Sequence, residues 1–115
     1  MKMIQANLVM ESRGFAPQVR SGFSDIWSKL YQAETYVLDI SCHSGGESNQ
    51  LQGQVMNGND SAPYGRVTLY NEQQKFVADL DQYGQFQLNV NKPGNFKLQV
   101  DLSEASFAVN DLDIS

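Results

Sequence analysis

Few residues in this chain have the type and spacing to do chemistry. The adjacent pair Cys42-His43 comes first, because a thiolate beside an imidazole makes a nucleophile. Around it, Tyr36, Leu38, Ile40 and Cys42 alternate with Asp39, Ser41 and His43. On such a strand neighbouring side chains point to opposite faces, so thiol and imidazole diverge. Cys42 is then expected as a small buried hydrophobe, and His43, the single histidine, near the start of a Ser44-Gly45-Gly46 turn. Paired carboxylates are the second candidate: Asp79 with Asp81, and Asp111 with Asp113. Two acids on one strand face could hold a cation or divide acid and base roles. On a wet sheet face such alternation more often keeps the sheet soluble and discourages edge pairing. The oxygen-rich Asn57-Gly58-Asn59-Asp60 lacks the ordered spacing of a calcium loop and reads as a turn. No phosphate-cradling glycine loop precedes a helix, and no serine elbow occurs. The expectation is a chain that is not an enzyme, with no catalytic residue, no metal and no cofactor.

Aromatic residues offer binding chemistry instead. Phe15, Phe23, Trp27 and Tyr31 surround a loop-like stretch, with Arg13 and Arg20 nearby. They read either as a cover over one open end of the fold, since large apolar side chains go inside, or as an exposed contact for a protein partner. Tyr64 and Tyr83 fall in turns and could serve as stacking platforms for a ligand such as a sugar.

The elements that must position these residues follow from period-two alternation. One face carries Ile4, Ala6, Leu8 and Met10 in residues 4–10. Residues 51–55 alternate Leu-Gln-Gly-Gln-Val. Val67 and Leu69, then Phe76, Ala78 and Leu80, then Phe86, Leu88 and Val90, then Phe96, Leu98, Val100 and Leu102 mark four further strands. A last strand over about 106–114 slips phase between Val109 and Leu112, the sign of a bulge. Asp81-Gln82-Tyr83-Gly84 and Lys92-Pro93-Gly94-Asn95 supply turn chemistry between runs. Residues 12–31 break the alternation: Ser12-Arg13-Gly14 and Ala16-Pro17 read as loop, and Phe23, Ile26, Trp27 and Leu30 fall at helical spacing behind a Ser24 cap. A short amphipathic helix is predicted there.

Part of this pattern resembles a known family. Gly53-x-Val55, Pro63-x-Gly65-x-Val67-x-Leu69, Asp81-x-x-Gly84-x-Phe86-x-Leu88 and Pro93-Gly94-x-Phe96-x-Leu98-x-Val100 look like the carboxypeptidase regulatory-like family of transthyretin-like (prealbumin-like) domains. The resemblance implies an all-β, seven- to eight-stranded antiparallel sandwich, of the kind used as an accessory or adhesion-type module. Arg66 replaces the usual small residue after the glycine, and Leu80 a threonine common before the turn aspartate, which weakens transfer of any surface function. The strand at 35–43, together with residues 4–31, looks like an extension found in some bacterial proteins of this type.

Composition bounds the rest. The 115 residues fit a single domain, with an N-terminal strand, loop and short helix over 1–34 packed on a sandwich over 35–115. A net charge of −5 argues against nucleic acid and against an anionic membrane surface. One cysteine permits no internal disulfide. With no leader-like start, a cytoplasmic location is expected, or an extracellular one if the chain is an excised domain. The expected function is a non-catalytic protein-interaction or assembly module, with a homodimer through an edge strand as one mode. The alternative is a carbohydrate- or surface-binding accessory module.

Overall fold

The computed structural model describes residues 3–14, 23–45, 49–61, 64–92, 94–103 and 105–114, with the backbone alone at 12–14, 23–26, 44–45 and 61. Alternation becomes strand throughout: β1 (Met3–Gln5), β2 (Asn7–Gly14), β3 (Phe23–Ala33), β4 (Tyr36–Gly45), β5 (Asn49–Asn57), β6 (Asp60–Ser61), β7 (Arg66–Tyr70), β8 (Lys75–Asp79), β9 (Gln85–Val90), β10 (Gly94–Asp101) and β11 (Ser106–Ile114). One sheet runs β1-β11-β10-β7-β8. The other runs β2-β3-β4-β5, with β6 and β9 both pairing the far edge of β5. Pairing is antiparallel except for β1 against β11.

A single buried cluster takes side chains from both sheets, an arrangement consistent with a β-sandwich. Leu38, Ile40, Leu51 and Val55 come from one sheet, and Val67, Leu69, Leu98, Val100, Phe107 and Leu112 from the other. Tyr36 stacks on Phe107 across the two sheets, with ring centroids 5.8 Å apart. Burying each such side chain contributes roughly 1.5–3 kcal/mol, so one-sided alternation is enough to hold the sheets together.

The expected bulge is present. Phe96 faces Leu112 and Leu98 faces Val109, so Lys97 of β10 opposes two residues of β11, Asn110 and Asp111. The Asp81–Gly84 turn is also as read: Gly84 takes φ 74°, its N–H donates to the Asp81 carbonyl at 3.0 Å, and Phe86 follows into the core. Of the turn at 92–95, Pro93 lies outside the described residues.

Two expectations at the N-terminal end are corrected. The helix over Phe23 to Tyr31 is strand β3, paired on both sides by β2 and β4. Trp27, Tyr31 and Ala33 are buried while Gln32 is exposed, which is period two along this strand. Helical spacing of the apolar residues is overridden because a central strand pairs its backbone along two edges at once, a non-local gain that no spacing reports. Ser12-Arg13-Gly14, read as loop, closes β2. Residues 4–10 are also not one strand. The chain changes sheets at Ala6, which is buried and donates its N–H to the Ala108 carbonyl at 2.8 Å. Ile4 therefore packs beside the core, whereas Leu8 and Met10 stand exposed on β2.

Candidate functional site

Strand geometry separates the residues that could have formed a nucleophile. Cys42 is fully buried beside the core leucines, and His43 lies half-buried on the opposite face, across from Gln50. The carboxylates are used singly. Asp79 faces Arg66 with Oδ1 3.3 Å from Nε, and both side chains are largely exposed, so the contact contributes little. Asp81 instead holds its turn: Oδ1 accepts the Tyr83 and Gln85 N–H groups at 2.8 and 2.9 Å. Asp111 and Asp113 are exposed on β11. Among the described residues no group of three His, Cys, Asp or Glu comes close enough to hold a metal ion.

Of the four aromatic candidates, the structure describes the side chains of Trp27 and Tyr31. Trp27 is 2% and Tyr31 5% exposed, so both are core residues. Phe23 begins β3, with its side chain outside the described set, and Phe15 and Arg20 lie outside the described residues altogether. Lys29 places Nζ 4.8 Å from the Trp27 ring centroid, a cation over an aromatic face. The Trp27 indole Nε1 is buried without a hydrogen-bond partner among the described residues. Burial pushes the Tyr31 hydroxyl pKa up, and the charge of Glu11 on the neighbouring strand pushes it further.

Tyr64 and Tyr83 are the aromatics that do face water, at 79% and 57% exposure. They share one end of the molecule, since the Leu80 N–H donates to the Gly65 carbonyl at 2.8 Å just before the Tyr83 turn. Tyr64 sits at φ 63°, a left-handed conformation uncommon for a bulky residue.

Two further surfaces stand out. The first is the outer edge of β2, the terminal strand of its sheet. Leu8, Val9 and Met10 are consecutive and exposed there, Met10 at 64%. An edge strand of the other sheet, β8, is shorter and carries Lys75 and Asp79 at its ends.

The second surface is a groove of about 550 Å³ along β4, β5 and β9, with Ala78 and Asp79 of β8 also in its lining. Its lining includes Asp39, Ser41, Gln52, Gln54, Gln85 and Gln87. Register places these on one grid: Asp39 beside Gln54 beside Gln85, and Ser41 beside Gln52 beside Gln87. In the sequence these glutamines are the polar positions of the strand alternation. Their signal was the repeated Gln-x-Gln at 52–54 and 85–87, but only pairing of β5 with β9 shows that the two runs are adjacent.

Comparison with protein-family models, curated proteins and solved structures returns no match. The chemistry of these surfaces therefore carries the functional argument.

Proposed function

We propose that the chain is a non-catalytic interaction module that engages a protein partner by strand addition at β2. The observation that carries the reading is the eight-residue edge strand Asn7–Gly14 with Leu8, Val9 and Met10 exposed in succession. An edge strand offers a row of unpaired backbone N–H and C=O groups, and a partner strand gains affinity from that row and specificity from side chains on alternate faces. Soluble proteins usually guard such an edge with charge, as β8 does with Lys75 and Asp79. Residues 7–10 carry no charge and no proline. If the resemblance of residues 51–102 to transthyretin-like domains holds, it implies an accessory or adhesion-type module, which fits this reading. Trp27 and Tyr31 are buried, so this reading rests no contact on them.

The test is an affinity pull-down with wild type and a Leu8→Lys/Met10→Lys variant. Both side chains are exposed, so the variant should keep its thermal midpoint. Loss of the recovered protein with the variant supports strand addition at β2. Equal recovery with both refutes it. Concentration-dependent self-association of the wild type that the variant lacks would make a second copy the partner.

A second reading, carbohydrate binding, rests on Tyr64. An aromatic ring held 79% exposed on a left-handed backbone is an energetic cost that packing does not repay. It predicts a glycan-array signal lost when Tyr64 and Tyr83 are replaced by alanine.

A further inference from the structure

We propose that the groove over β4, β5 and β9 is a binding site for a neutral, polyhydroxylated ligand, a carbohydrate chain without acidic groups. This goes beyond strand addition and sharpens the carbohydrate reading, on which it rests, by naming the site and the sugar class.

The argument begins with the grid. Strands lie about 4.8 Å apart and alternate residues about 6.6 Å apart along each, so six polar head groups tile a flat surface. Four of them, Asp39, Ser41, Gln85 and Gln87, make no side-chain hydrogen bond among the described residues. The other two are oriented by light contacts: Gln54 Nε2 donates to the Tyr83 carbonyl at 3.1 Å, and Gln52 Nε2 to Gln50 Oε1 at 3.3 Å. The Gln54 contact ties the groove to the turn that presents the Tyr83 ring.

The lining selects the ligand class. A primary amide both donates and accepts in one plane, a serine hydroxyl does both, and a carboxylate accepts twice. That combination matches sugar hydroxyls, each of which needs one acceptor and one donor. Among the described residues no lysine or arginine lines the groove, whereas Asp39, Asp79 and Asp81 do, so phosphates and acidic sugars are repelled. Among the described lining residues Ala78 and Phe86 are the apolar side chains, and Phe86 is turned into the core, too little for a hydrophobic ligand or a protein hot spot. A purely solvating face would more ordinarily mix charges of both signs. Here five of the chain's twelve glutamines, Gln50, Gln52, Gln54, Gln85 and Gln87, meet on one sheet face.

The experiment is NMR titration of the labelled chain with neutral hexasaccharides (glucan, mannan and xylan types) at millimolar concentration, and with an oligogalacturonate as the acidic control. The variants are Gln52→Ala/Gln87→Ala and, separately, Tyr64→Ala/Tyr83→Ala. The expected result is a neutral saccharide that shifts the Gln52 and Gln87 side-chain amide signals and binds about tenfold more weakly to the glutamine variant. Neutral binding that the glutamine variant leaves unchanged overturns the groove while leaving the tyrosine site standing. No saccharide binding overturns both. Preferred binding of the oligogalacturonate overturns the neutral class.

Discussion

Gly53 is the position where a single carbon tests the packing of the sandwich most directly. It lies on the core-facing side of β5, between Leu51 and Val55 and opposite Phe86 of β9. A Cβ built there would sit 2.5 and 2.6 Å from Cε1 and Cζ of the Phe86 ring and 2.8 Å from Cγ2 of Ile40. Carbon atoms in contact prefer about 3.5–4.0 Å, so something must retreat by roughly 1 Å. Ile40 is β-branched and fully buried, so that wall does not give. The ring must tilt instead, inside a packed site. Overpacking of this kind costs about 1–3 kcal/mol. Loss of glycine flexibility in the unfolded chain returns about 0.4–1 kcal/mol. Gly53→Ala should therefore destabilise by about 1–2 kcal/mol. At roughly 2.1 cal/mol/K of unfolding entropy per residue, that is a fall of about 4–8 °C in Tm. Thermal unfolding followed by circular dichroism measures it, and a double-mutant cycle with Phe86→Leu identifies the cause. Trimming the ring should recover about 1 kcal/mol in the Gly53→Ala background relative to its cost in the wild type. An unchanged or raised Tm for Gly53→Ala, or strict additivity in the cycle, would refute the reasoning.

Two further outcomes follow from single contacts. Asp81→Ala removes the acceptor of the Tyr83 and Gln85 N–H groups in an exposed turn, where water partly compensates. It should cost about 1 kcal/mol, visible as a Tm fall of about 4 °C, with Asp81→Asn retaining most of the stability. The pKa of Tyr31 is raised in the folded state above its ordinary 10.0, so above about pH 10 the unfolded chain loses this proton first. The folded state then binds more protons than the unfolded one, and stability present below that pH is lost as pH rises through the folded pKa. Urea unfolding between pH 8 and 12 should show that alkaline decline, and Tyr31→Phe should flatten it; an equal slope in both proteins would show that Tyr31 is not its source.

The β2 edge and the groove make different demands on the fold. Strand addition needs only an accessible backbone and tolerates motion in the edge. A sugar site needs side chains held in register, which the pairing of β4, β5 and β9 supplies. Strand β3 separates the β2 edge from the strands that carry the groove.

Local chemistry alone determined much of this protein. Alternation marked the strands from Tyr36 onward, because a side chain's face on a strand depends only on its parity. The turn at Asp81–Gly84 was legible because Gly84 must take positive φ, and the β11 bulge because parity breaks between Val109 and Leu112. The divergence of Cys42 and His43 followed from parity too. What the sequence left undecided depends on which strands become neighbours. Phe23 to Leu30 has helical spacing, yet β2 and β4 flank it and their hydrogen bonds make it strand. Trp27 and Tyr31 could have been cover or contact, and the facing sheet buries them. The glutamines of 50–54 and 85–87 are separate, ordinary wet faces in the sequence. Only the closing of a chain segment of some thirty residues, which sets β9 beside β5, makes them one surface. Pairing across that distance is settled by the total burial of the folded chain, a quantity no local window contains.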